Sequence, residues 1–247
     1  MAERLMALDF DGVICNGLRE YFETSWRVYC TLWNPEQHPP SPGLADTFYR
    51  LRPVVENGWE MPVVLHALES GFSEEDILQN WSSISLELLH HHNLDPNVVG
   101  AQVDAVRDRW IVEDYAGWLA CQTFYPGMVE YLKRCPHFVI VSTKDGRFIQ
   151  ALLRQAGVEL QPDQLYGKER QTPKFETLRS LKTCYSKITF IEDRIKTLHS
   201  VAKQPDLGDI ELLLADWGYN LPSERAEAKA SDRIRLVSRT EFLQDSI

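Results

Sequence analysis

The stretch RLMALDFDGV, residues 4–13, sets an apolar run against two aspartates and a glycine. A short run of this kind, bounded by a turn signal, predicts a buried strand, here over residues 4–10 and ending in acids. From Gly17 to about Cys121 the apolar residues follow helical periods instead, with Leu18, Tyr21, Phe22, Ser25 and Tyr29 on one face. The proline-rich NPEQHPPSPG (34–43) breaks that helix, while Ser73 ahead of Asp76 and Asp95 ahead of Pro96 mark further helix starts.

After Pro126-Gly127 the texture becomes strand–helix alternation. Strands are expected at 137–142 (HFVIVS), 164–167 (QLYG), 187–191 (KITFI), 210–215 (IELLLA) and 234–237 (IRLV). Helices are expected from Asp145 to about Ala156, from Pro173 to about Lys182 and over 194–203, with a helical turn at the C-terminus. Alternating units predict a Rossmann-like α/β core whose parallel sheet is covered on both faces. The first strand belongs to that sheet by character, so the intervening helical stretch reads as an insertion. Residues 1–16 and 123–247 then form the core, and 17–122 an all-helical domain.

Composition narrows the function classes. With 44% apolar and 25% charged residues, the chain matches an ordinary soluble globular protein. No apolar run reaches the roughly 18 residues of a membrane span, and the start does not read as a secretory signal. Five scattered cysteines without a C-x-x-C pair point to free thiols in a reducing compartment, the cytoplasm by default. The net charge of −10 lies wholly within residues 17–122, which hold six arginines, no lysine and sixteen acids. Such a segment repels polyanions, against a nucleic-acid or anionic-membrane partner, and otherwise reads as a solvated helical face. Six of the seven tryptophans lie there too and are expected to form the insertion's own core.

Ligands of open α/β sheets bind beyond the carboxyl ends of the strands. Those ends carry Asp9 and Asp11, then Ser142-Thr143-Lys144-Asp145, and Glu192-Asp193, with Thr172-Pro173-Lys174 opening a helix. Gathering so many carboxylates costs several kcal/mol unless a cation compensates them, and oxygen ligands favour Mg²⁺ over zinc or copper. A metal beside a carboxylate neutralises an incoming phosphate, and carboxylates are covalent catalysts. The Ser142 hydroxyl and the backbone N–H groups after it suit phosphate oxygens. Lys174 suits them as well, in a first helical turn with Thr172 as N-cap and Pro173 as first helical residue. Lys168, at a strand end, is the rival cation.

In this order the residues resemble the haloacid dehalogenase superfamily. Asp9-Phe10-Asp11-Gly12-Val13 is similar to its first motif, D-x-D-G-[VT], and Ser142 closing VIVS to its second. Lys174 within YGKERQTPKFETL is similar to the third, and Glu192-Asp193 to the fourth. YPGMVEYL (125–132) and ADWGYN (215–220) extend the resemblance, and the insertion looks like the helical C1-type cap of the phosphoglycolate phosphatase-like branch. The resemblance implies a Mg²⁺-dependent phosphohydrolase that cleaves a small-molecule phosphate monoester through an aspartyl-phosphate. Asp9 would be the nucleophile and Asp11 the proton donor and base. Ser142, Thr143 and Lys174 would hold the phosphoryl group. Asp9, the Asp11 carbonyl and Asp193 would hold Mg²⁺, and Gly12 would let the chain turn behind the acids. The fourth motif's further acid is replaced by Thr197 or Leu198, so Glu192 is expected to take its role.

Asp11 argues for phosphate chemistry over dehalogenation, and the absence of any lysine before Lys133 argues against imine chemistry in the insertion. A phosphomutase, or a binding or regulatory protein on the same fold, stays open. The partner expected is a small phosphorylated metabolite. Within the insertion, read as a lid, Arg50 and Arg52 either meet a second anionic group of the substrate or pair with the insertion's acids. His90, His91 and His92 are read as a helix C-terminus rather than a metal site, and His66 as a packing residue.

Overall fold

In the computed structural model, which describes residues 4–34, 36 and 38–245, the first apolar run forms β1 (Arg4–Leu8). Leu5, Ala7 and Leu8 are fully buried in it. A tight turn follows, where the Ile14 and Cys15 N–H groups both donate to the Phe10 carbonyl at 2.9 Å, before β2 (Cys15–Asn16). Helices α1 (Leu18–Leu32), α2 (Leu44–Leu51), α3 (Glu60–Glu69), α4 (Glu74–His91), α5 (Pro96–Glu113) and α6 (Tyr115–Ala120) come next. The chain continues through β3 (Thr123–Phe124), α7 (Met128–Arg134), β4 (Phe138–Val141), α8 (Gly146–Gln155) and β5 (Leu165–Tyr166). It ends with α9 (Lys174–Leu181), β6 (Lys187–Glu192), α10 (Ile195–Ala202), β7 (Glu211–Ala215), α11 (Pro222–Ala230), β8 (Ile234–Val237) and α12 (Arg239–Asp245).

The chain divides into two compact units, Met1–Asn16 with Thr123–Ile247, and Gly17–Gln122. In the first, six described strands pair in parallel in the order β5-β4-β1-β6-β7-β8, while β2 and β3 form a separate antiparallel ribbon. On one face Leu5, Ala7, Val139, Phe190, Leu212 and Leu214 pack with Leu178, Leu181, Leu198 and Val201 from α9 and α10. The alternate residues Met6, Leu8, Ile140, Ile191 and Leu213 are equally buried, as a sheet covered on both faces requires. Strand order reverses at β1, which has β4 on one side and β6 on the other. The carboxyl end of β1 is therefore the topological switch point where such sheets bind ligands.

In the helical unit α1 packs against α3 and α5, and α3 against α4. Ser73 and Asp76 form the expected capping box of α4, and Asp95 caps α5. Trp118, Trp81 and Trp110 are buried, whereas Trp26, Trp33 and Trp59 are half-buried, so the tryptophans supply only part of a private core. Glu20, wholly buried on α1, meets Arg107 of α5 at 2.7 Å and accepts the Thr24 hydroxyl at 2.8 Å. Pro35 and Gln37 of the proline-rich stretch lie outside the described residues. Among the described residues, no helix is long and apolar enough to cross a membrane.

Candidate active site

Three adjacent strands, β4, β1 and β6, deliver Ser142, Asp9 and Glu192-Asp193 to one edge of the sheet. Asp9 follows β1 directly and its backbone N–H donates to the Ile191 carbonyl at 3.0 Å, which ties it to β6. Gly12 then turns the chain at φ +84, a left-handed conformation that favours glycine. A Cβ at this position would collide with the Asp193 carboxylate.

Asp9, Glu192 and Asp193 are buried, and one oxygen of each lies within 4.8 Å of the others. The Lys174 ammonium joins them, 2.9 Å from Asp9 Oδ1 and 2.7 Å from Glu192 Oε2. Burial and then Glu192 push the Asp9 carboxyl up to about 7, against the pull of Lys174. Burial likewise raises Glu192 and Asp193. Burial works against the Lys174 charge, yet Asp9 and Glu192 outweigh it and hold the ammonium above its usual range. Asp9 Oδ1, close as it is to Lys174, is buried without a donor in hydrogen-bond geometry. Three buried carboxylates facing one buried ammonium, with such an oxygen among them, are a donor set suited to a hard cation.

The carboxylates differ in what already holds them. Asp193 Oδ2 accepts the Tyr219 N–H at 2.7 Å, and the Asn220 amide donates to the Asp193 carbonyl at 3.0 Å. Glu192 Oε1 accepts the N–H groups of Asp193 and Arg194 at 3.1 Å each, and Oε2 accepts Lys174. Glu192 thus holds the turn that leads into α10 and fixes Lys174 at once. Asp11 is less buried and pairs with Lys144 at 3.2 Å.

Ser142 is buried, and its Oγ accepts the Lys144 N–H at 3.3 Å; Thr143 beside it is exposed. Lys174 opens α9 with Pro173 as the preceding cap residue, while the Thr172 hydroxyl donates to the Arg170 carbonyl. The helix therefore begins one residue later than the Thr-Pro signal suggests, because Thr172 closes its own turn instead of capping. Lys168 is exposed in a 3₁₀ turn, its N–H bonded to the Lys144 carbonyl at 2.9 Å. In the helical unit Arg50 is exposed and doubly bonded to Glu74, at 2.9 and 2.5 Å. The Arg52 guanidinium donates to the Val55 carbonyl and lies over the Tyr21 ring.

Lys144 and the loop after β7 are the parts of the site that motif reading passes over. Trp217 donates to the Val13 carbonyl at 3.1 Å, and Tyr219 bonds both Asp193 and Asn16, so WGYN braces the acids from behind. The only sequence signal for either is position, one just after a strand end and the other within ADWGYN.

No family model matches the chain, and no curated protein matches it in sequence. Solved structures do match. A predicted phosphatase from Clostridium acetobutylicum superposes with a TM-score of 0.59 at 14% identity, over 99% of this chain and 98% of that one. A predicted phosphoglycolate phosphatase from Haemophilus somnus gives 0.58 at 14%, covering 98% and 97%. A haloacid dehalogenase-like hydrolase from Streptococcus pneumoniae gives 0.57 at 12%, again covering 98% and 97%. The chain has the fold of the haloacid dehalogenase-like proteins.

Proposed function

We propose that the protein is a phosphohydrolase that cleaves a small phosphate monoester with Asp9 as nucleophile. The observation that carries this reading is the buried acid cluster at the switch point, where Asp9 and Lys174 lie 2.9 Å apart beside Asp193. The phosphatase descriptions of the structural neighbours, which span nearly the whole chain, support it.

In this reading Lys174, the Ser142 hydroxyl and the backbone at Thr143 hold the phosphoryl oxygens. Asp9 attacks phosphorus, the bond to the ester oxygen breaks, and Asp11 gives its proton to the leaving oxygen. Water then attacks the phosphoryl group on Asp9, Asp11 takes the water's proton, and phosphate departs. Asp9, Asp193 and the Asp11 carbonyl would hold Mg²⁺, whose charge offsets that of the phosphate as the carboxylate approaches. Glu192, with both oxygens engaged, supports the site by fixing Lys174 beside the cation.

A panel of sugar, glycolate, nucleotide and amino-acid phosphates, assayed with and without Mg²⁺, tests the proposal. Mg²⁺-dependent phosphate release that Asp9→Asn abolishes is the expected result. Turnover of no ester, or full turnover by Asp9→Asn, contradicts it.

A further inference from the structure

The two lysines of the site divide its carboxylates. Lys174 serves Asp9 and Glu192, and Lys144 serves Asp11, donating from Nζ to Oδ1 at 3.2 Å. Only 8% of the Lys144 side chain and 17% of that of Asp11 are exposed. Fixing a lysine side chain costs rotamer freedom, so a nearly buried one must be held by its surroundings.

Those surroundings are built for it. The Lys144 N–H donates to Ser142 Oγ at 3.3 Å, and its carbonyl accepts the Lys168 N–H at 2.9 Å. Two residues on, the Gly146 N–H donates to the Glu169 carboxylate at 2.9 Å, so the loop after β4 is clamped to the turn after β5. The Phe10 ring, between the two aspartates in sequence, lies with its centroid 6.0 Å from the ammonium. Lys144 is therefore set by the same loop that presents Ser142, and it reaches across to Asp11.

We infer that Lys144 is a positioning residue for Asp11, fixing which carboxyl oxygen exchanges the proton and so which class of ester is cleaved well. This role rests on the phosphohydrolase reading. With Oδ1 held by Lys144, Oδ2 is the oxygen left to exchange the proton. When the phosphorus–oxygen bond breaks, its electron pair goes to the leaving oxygen, which takes that proton. Lys144 forms no bond to phosphorus and transfers no proton. The device matters for alkyl phosphates, whose alkoxide is a poor leaving group, and little for aryl phosphates, whose phenolate departs without a proton.

The test compares kcat/KM for an alkyl phosphate, phosphoglycolate, and for p-nitrophenyl phosphate, in wild type, Lys144→Met and Lys144→Arg, all with Mg²⁺. General acid catalysis contributes about 10²–10⁴-fold, so Lys144→Met should lower the alkyl value by about tenfold or more and the aryl value markedly less. Lys144→Arg, which keeps a donor on Oδ1, should recover part of the alkyl loss. In an Asp11→Asn background Lys144→Met should add little. An equal loss on both esters, or none on either, overturns the positioning role while leaving the phosphohydrolase reading intact. A wild type inactive on both esters overturns that reading and this role together.

Discussion

Lys174 and Glu192 form an ion pair of 2.7 Å in which the glutamate is wholly buried and the lysine nearly so. Removing one partner of a buried pair costs about 3–5 kcal/mol, because the other charge is left uncompensated. Lys174→Ala strands both Glu192 and Asp9, so urea unfolding should show a loss of that size and phosphate affinity should fall. Lys168→Ala, at an exposed position, should stay within about 0.5 kcal/mol and keep its turnover. The opposite pattern would transfer the phosphate role to Lys168.

Gly12 and Asp193 occupy adjoining space, which makes Gly12→Ala a probe of the site rather than of the turn alone. Both Gly12 and Gly43 have positive φ, +84 and +81, but nothing lies within 4 Å of a Cβ at Gly43. Each substitution should cost about 1–2 kcal/mol from the left-handed backbone. Gly12→Ala alone should also displace Asp193 and weaken the thermal stabilisation by Mg²⁺. Equal Mg²⁺ responses of the two variants would show that Asp193 is not the cation's ligand.

Glu20 and Arg107 pin α1 to α5 through a buried charge pair. Arg107→Met should destabilise the protein by about 3–5 kcal/mol, and adding Glu20→Gln should recover much of that loss. Chemical denaturation of the two variants measures it. A double variant no more stable than Arg107→Met would mean that packing, not charge, sets the cost.

His66 should not protonate in the usual imidazole range. Its Nε2 meets His92 Nε2 at 2.9 Å, Trp33 stacks on its ring with centroids 4.4 Å apart, the Tyr29 ring lies 6.2 Å away, and His91 packs against His92. Burial, then His92 and His91, lower it to about 4. The unfolded chain therefore binds this proton more readily, and stability should fall as pH drops from about 6.5 toward 4. His92→Ala should shrink that fall, and an NMR titration should place His66 below the usual imidazole range. A normal titration of His66 would remove the effect.

Much of this was readable because apolar strand runs end in chemistry-bearing residues, and the sheet order brings those ends together. Asp9, Ser142 and Asp193 needed no more than that. The β2–β3 ribbon was not readable, since two residues per strand carry no period. Helix α11 escaped because SERAEAKA buries only Ala228 and so lacks an apolar stripe. Lys144 shows no role in the sequence, because its partner lies 133 residues away. Arg50 shows the converse: an acid-rich insertion supplied Glu74 as a partner that spacing alone did not single out.

In the proposed reaction Asp9 carries the phosphoryl group between the two steps. Borohydride quenching during turnover of a hydrolysed ester with Mg²⁺ reduces an aspartyl-phosphate to homoserine, which peptide mass spectrometry locates. Homoserine at position 9 in the wild type, and none without ester or in Asp9→Asn, is the expected result. Homoserine at another aspartate, or an Asp9→Asn variant that turns over as fast as wild type, would contradict the account.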